Sequence, residues 1–115
     1  MMIGKAVYRF ARISPKKMKP LLSEIRGKTA QEADAILYLM NKKGARITRK
    51  VLKSAVASLN DKLGREMSPE EIRVKIAKVD KGLTMKRVRP FWRGMATLIR
   101  KRTSHITIIV EGGEE

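Results

Sequence analysis

The sequence predicts an α+β fold: a strand leading into three helices, then two strands joined by a long hairpin. Three observations carry that prediction. Apolar residues alternate near both ends of the chain, they recur at three- and four-residue spacing through the middle, and residues 81–102 lose the helical pattern while staying rich in Lys and Arg. A chain of 115 residues has room for one core, so residues 1–115 are expected to form a single domain with 81–102 as an arm of it.

The first strand is read from Lys5 to Ile13, where Val7, Tyr8, Phe10 and Ile13 supply β-branched and aromatic side chains in imperfect alternation. Ser14-Pro15 then has the pattern of a helix start, Ser as N-cap and Pro at the first helical position. Leu21, Leu22 and Ile25 give this helix an apolar side and Gly27 a stop, while Pro20, beyond the first turn, removes one backbone bond and should kink it. Thr29 and Glu32 form a capping box for a second helix carrying Ala33, Ile36, Leu37 and Met40. A third runs from about Ala45 to Lys62 on a stripe of Ile47, Val51, Ala55 and Leu59, and Gly64 ends it. Ser68-Pro69-Glu70-Glu71 reads as a short capped turn. Ile72, Val74 and Ile76 then alternate with Arg73 and Lys75 until the phase slips at Ala77, the mark of a bulge. Ile106, Ile108 and Val110 give a closing strand, and Glu111–Glu115 is expected to be a frayed acidic tail.

Charge is the loudest feature. There are 27 Lys and Arg against 11 Asp and Glu, a formal net of +16. Self-repulsion of that size makes sense beside a polyanion. The distribution is uneven: residues 1–28 hold eight basic side chains and one acid, 41–53 six and none, 81–110 eight and none. Merely solvated surfaces mix their signs, so these segments are read as contact surfaces. Gly82 and Gly94 are isolated turn or bulge residues rather than a phosphate-cradling loop.

Other classes fall away. No cysteine means no disulfide frame, thiol nucleophile or Cys-based metal site. No apolar run approaches the roughly 18 residues of a membrane span, and Met1–Lys5 is too short in its apolar part for a secretory signal. The expectation is a soluble cytoplasmic protein, a monomer when free, with no membrane partner. His105 is the single histidine, without an evident partner, and the acids are scattered. No catalytic group, metal site or cofactor is therefore expected.

The arm carries the strongest binding signal. Lys86, Arg87, Arg89, Arg93, Arg100, Lys101 and Arg102 can neutralise phosphates, and Trp92 beside Phe91 at the expected tip offers a stacking face. The aromatic pair could equally staple the turn, and the sequence leaves both open. A second surface, Arg12, Lys16, Lys17 and Lys19, surrounds the start of the first helix, where a helix N-terminus helps to hold phosphate.

Arg12-Ile13-Ser14-Pro15-Lys16-Lys17, Ile25-Arg26-Gly27-Lys28, Asn41-Lys42-Lys43-Gly44-Ala45, Met85-Lys86-Arg87 and, most specifically, Lys101-Arg102-Thr103-Ser104-His105-Ile106-Thr107 resemble the bacterial large-subunit ribosomal protein L-twenty-two family over nearly the whole chain. The resemblance implies three helices packed on a small three-stranded antiparallel sheet with a long protruding β-hairpin. It implies a structural constituent of the large ribosomal subunit that binds 23S ribosomal RNA (rRNA), supports subunit assembly and lines the polypeptide exit tunnel. Its partners would be that RNA, neighbouring large-subunit proteins and the nascent polypeptide. On matching positions it adds Lys28, Lys42, Lys43 and His105 to the rRNA-facing residues. The chain departs from the family at Gly82-Leu83, commonly Gly-Pro, at Phe91-Trp92 after Pro90, commonly Arg-Ala, and at Met95, usually Arg. A DNA-bending protein with a basic β-arm is the alternative, since such arms also enter minor grooves.

Overall fold

The structure, a computed structural model, describes residues 2–90 and 96–112, and among these the side chains outside 83–101. The elements run β1 (Met2–Ala11), α1 (Pro15–Ile25), α2 (Ala30–Leu39), α3 (Lys43–Leu63), β2 (Arg73–Pro90) and β3 (Ala96–Gly112). The sheet is antiparallel in the order β1-β3-β2, so the last strand lies in the centre. The expected α+β fold of three helices on a three-stranded sheet is what the chain forms.

The core lies between one face of the sheet and the helices. Ile106, Ile108 and Val110 of β3 and Val74 of β2 meet Met18, Leu22 and Ile25 of α1, Leu37 of α2 and Leu59 of α3 in one cluster, all fully buried. Each such aliphatic side chain contributes about 1.5–3 kcal/mol by leaving water. Gly4 lets α3 approach β1 closely: a Cβ there would lie 2.7 Å from the Leu59 Cβ and against the Ala55 carbonyl. The α1–α2 connector extends the sheet on its β2 side. The Val74 N–H donates to the Lys28 carbonyl and the Ala30 N–H to that of Ile72, at 2.9 and 2.7 Å.

Several local expectations are corrected. Ser14 occupies the N-cap position with Pro15 following it, but its side chain makes no capping bond. Helix α1 continues past Pro20, an exposed position where water can take the carbonyl it frees, and the kink there remains an expectation. Thr29 does accept from the Glu32 N–H at 3.2 Å, though the return contact from the Glu32 side chain is not made among the described residues. On α3 the buried stripe is shifted from Ile47 to Thr48, whose hydroxyl is satisfied by the Gly44 carbonyl at 2.7 Å. Ser68–Glu71 is the short turn expected, closed by the Glu71 N–H on the Ser68 carbonyl at 2.9 Å. The bulge of β2 falls between Val74 and Ile76, one step earlier than the sequence suggests, and it turns Ile76 outward and Ala77 inward. Glu111 and Gly112 are not frayed. They pair with Ile3 and Met2, and Gly112 packs on Met67 and Leu59.

Beyond the core the ladder continues. After a register shift between Lys81 and Thr84, around Gly82, seven pairs run from Thr84↔Arg102 to Pro90↔Ala96. At about 3.3 Å per residue they span roughly 20 Å. The molecule measures 66 × 25 × 17 Å with a radius of gyration of 17.3 Å. A compact chain of this length would have about 13 Å.

Candidate nucleic-acid interface

Where β1 ends, the register shifts between Tyr8 and Ala11, and Phe10 takes a positive φ of 58°. The chain then turns sharply, with the Ile13 N–H donating to the Ala11 carbonyl at 2.8 Å. The Ser104 hydroxyl donates to the Ile13 carbonyl and pins this turn to the central strand. Arg12 is thereby delivered to the root of the hairpin. Helix α3 begins at the same place. Gly44 keeps its N-terminus close to α1, where a Cβ would meet the Met18 Sδ at 2.7 Å.

These approaches leave an open cleft of about 850 Å³. Its charged lining is Arg12 from the β1–α1 turn, Lys17 from α1, Lys42 and Lys43 at the start of α3, and Arg102 from β3, with Ile13, Met18 and Leu21 beneath them. Five of the sequence-predicted residues, up to 90 positions apart, therefore converge. No acid lines the cleft, and none of the five is ion-paired among the described residues. Neither α1 nor α3 has a side-chain cap at its N-terminus; α3 leaves first-turn N–H groups for an anion, while in α1, where Pro15 has no N–H and that of Lys17 donates to the Ser14 carbonyl at 3.1 Å, only that of Lys16 remains. The absent Ser14 cap is informative here.

The acids lie elsewhere. Asp61, Glu66, Glu70, Glu71 and Glu111 gather where α3 and β3 end and β2 begins, at the opposite end of the sheet. Asp34 is engaged by Arg49, and Asp80 lies 3.9 Å from Lys78 in an exposed pair of little energetic weight. The opposite end of the sheet mixes its acids with Lys62, Arg65 and Arg73, whereas the charged lining of the cleft is cations alone.

The remaining predicted residues fall in different places. Lys16 is exposed on the first turn of α1, beside the cleft lining. Lys28 is distant from the cleft, in the connector that pairs with β2. Lys86, Arg87, Arg89, Arg100 and Lys101 occupy the hairpin ladder that rises from the Arg102 level, with Lys86 opposite Arg100 in register. Trp92 and Arg93 lie outside the described residues. His105 has a partner after all: its Nδ1 accepts from the Phe10 N–H at 3.1 Å, and the two rings meet edge to face at 4.9 Å. That contact ties down the end of β1 and gives the histidine a structural task. No group of three or more potential metal ligands occurs among the described residues.

One arrangement escaped the sequence reading. On α2, Asp34 and Tyr38 stand one turn apart, and Arg49 of α3 reaches both. Its hydrogen bond to Asp34 raises the guanidinium pKa, against a smaller opposing effect of desolvation. The available signal was a Tyr-Leu pair at the end of a short amphipathic helix, lying off its apolar stripe.

Comparison with known proteins agrees with this architecture. Residues 6–111 match the family described as Ribosomal protein L22p/L17e. The chain is 48 % identical over 110 residues to the large ribosomal subunit protein uL22 of Akkermansia muciniphila, covering 96 % of each chain. It is also 48 % identical over 114 residues to the protein of that name from Staphylococcus aureus strain JH9, covering 99 % of this chain and 96 % of the relative. On the strength of a match that spans both the body and the hairpin, the chain belongs to the ribosomal protein L22p/L17e family.

Proposed function

We propose that this protein is a structural, non-catalytic constituent of the bacterial large ribosomal subunit, in the cytoplasm, and that it binds large-subunit rRNA through the cleft and the hairpin together. The observation that carries the reading is the cleft: five cations with no ion-pair partner among the described residues, and the starts of α1 and α3 without side-chain caps, converge at the root of a two-stranded arm whose sequence contains no acid. Phosphate groups satisfy all of these features at once. Arg12, Lys17, Lys42, Lys43 and Arg102 hold backbone where RNA segments meet. Lys86, Arg87, Arg89, Arg100 and Lys101 extend the contact along the arm. Family membership supports placing the arm in the wall of the polypeptide exit tunnel, with neighbouring large-subunit proteins and the nascent chain as further partners. Hydroxyl-radical footprinting of large-subunit rRNA tests the two-part contact. Protection is expected in two separable patches, one of which persists when the arm is shortened; a single patch lost entirely with the arm would contradict it.

A further inference from the structure

The two most exposed large apolar side chains among the described residues stand side by side at the end of α2: Tyr38 is 70 % and Leu39 82 % exposed. Both lie outside the buried core, yet Tyr38 is held in place. The Arg49 guanidinium donates to both Asp34 carboxylate oxygens, at 2.9 and 3.4 Å, and its central carbon lies 5.0 Å from the Tyr38 ring centroid. The carboxylate fixes the guanidinium, and the guanidinium fixes the ring by a cation–π contact. Beside the ring is a shallow pocket of about 540 Å³ rimmed by Asn41 and Arg46, whose side chains bond each other at 3.3 Å.

We propose that Tyr38 is a stacking platform for an unpaired nucleobase, with the Asn41 amide and Arg46 guanidinium at the edge of that base; the proposal rests on the rRNA-binding reading. Three features favour a base over an apolar protein surface. The ring is anchored from one side and exposed on the rest, which suits a flat ligand. Residues 41–53 begin beside it with six cations and no acid, so phosphates flanking the base would find counter-charge within one helical turn. The acid on this face, Asp34, is already neutralised by Arg49 and repels no phosphate.

The test measures affinity of the full-length chain for a full-length large-subunit rRNA transcript at several salt concentrations, using Tyr38→Phe, Tyr38→Trp, Tyr38→Leu and Tyr38→Ala. Tyr38→Phe and Tyr38→Trp keep the π-face and are expected to bind within about twofold of the parent. Tyr38→Leu and Tyr38→Ala are expected to lose roughly 5- to 150-fold, the range for removing one stacked base, with an unchanged salt slope. Thermal melts of the free variants should stay within the small range of surface substitutions, with Leu and Ala lower by at most the loss of one exposed cation–π contact. Leu binding like Tyr would overturn the proposal, as would Phe losing as much as Ala. If the parent binds with a steep salt slope and all four variants match it, stacking fails alone. If the parent itself lacks that slope, the rRNA-binding reading fails and the platform with it.

Discussion

Strands β2 and β3 each serve two regions, and the contrast between their halves separates folding from binding. In the body half, Val74, Ala77, Ile106, Ile108 and Val110 are fully buried, and β3 carries no Lys or Arg from Ser104 to Gly112. In the arm half, the ladder from Thr84↔Arg102 to Pro90↔Ala96 contains Lys86, Arg87, Arg89, Arg100, Lys101 and Arg102, without a counter-charge in its sequence. Backbone pairing is continuous through both. On the proposed rRNA-binding role, what differs is the origin of the free energy: apolar burial within the chain for the body, and release of counterions from RNA phosphates for the arm. A polypeptide can thus run one ladder through its core and on into its binding surface, provided the side chains change character at the boundary. Here Gly82 and its register shift mark that boundary.

The largest expected effects break the comparison from the body side. Ile108→Ala should cost about 2–5 kcal/mol of stability, the usual range for emptying a filled aliphatic site, read from chemical denaturation. Replacing residues 85–101 by Asp-Gly should cost far less. The flanking residues Thr84 and Arg102 already stand opposite each other, as a two-residue turn requires. A cooperative melt close to the parent's is expected. A broad, early transition would show that the arm helps to hold the body.

The next effect sharpens the comparison from the arm side. Changing Lys86, Arg87 and Arg89 together to Ala should leave the melting of the free protein within the small range of surface substitutions. Affinity for the rRNA transcript should fall, with the slope of log K against log salt shallower by about 2 to 3. A smaller change is expected for Arg12→Ala in the cleft, a slope shallower by about 1. No change for Arg12 would remove it from the phosphate contacts.

Much of this was legible in the chain, and the exceptions have physical causes. Periodicity exposed the three helices because burial on one side of each is nearly complete, and the alternation of Ile106, Ile108 and Val110 identified the central strand for the same reason. The β2 bulge falls one residue earlier than the alternation suggests because Ile76 is as apolar as the residues that are buried, so composition alone does not reveal the flip. Ser14 has the residue type of a side-chain cap, yet its side chain makes no capping bond and the residue lines the cleft. The one-sign charge segments were visible; that Arg12, Lys17, Lys42, Lys43 and Arg102 share one cleft was not, since only the packing of α1 against α3 and β3 brings them together. The Asp34–Arg49–Tyr38 arrangement joins two helices by side-chain contacts that leave no periodic trace.

The central claim is that body and arm bind one polyanion through additive charge contacts, and the salt dependence of rRNA affinity tests it most directly. About eight phosphate contacts give a slope on the order of −6 to −7. The full chain is expected to show that slope, and the chain with 85–101 replaced by Asp-Gly should keep a shallower but substantial one, near −3 to −4 for about four to five remaining cleft contacts. A full-chain slope near −2 would mean that most of these cations are only solvated. A shortened chain with no salt-dependent binding at all would place the whole interface in the arm and contradict the role assigned to the cleft.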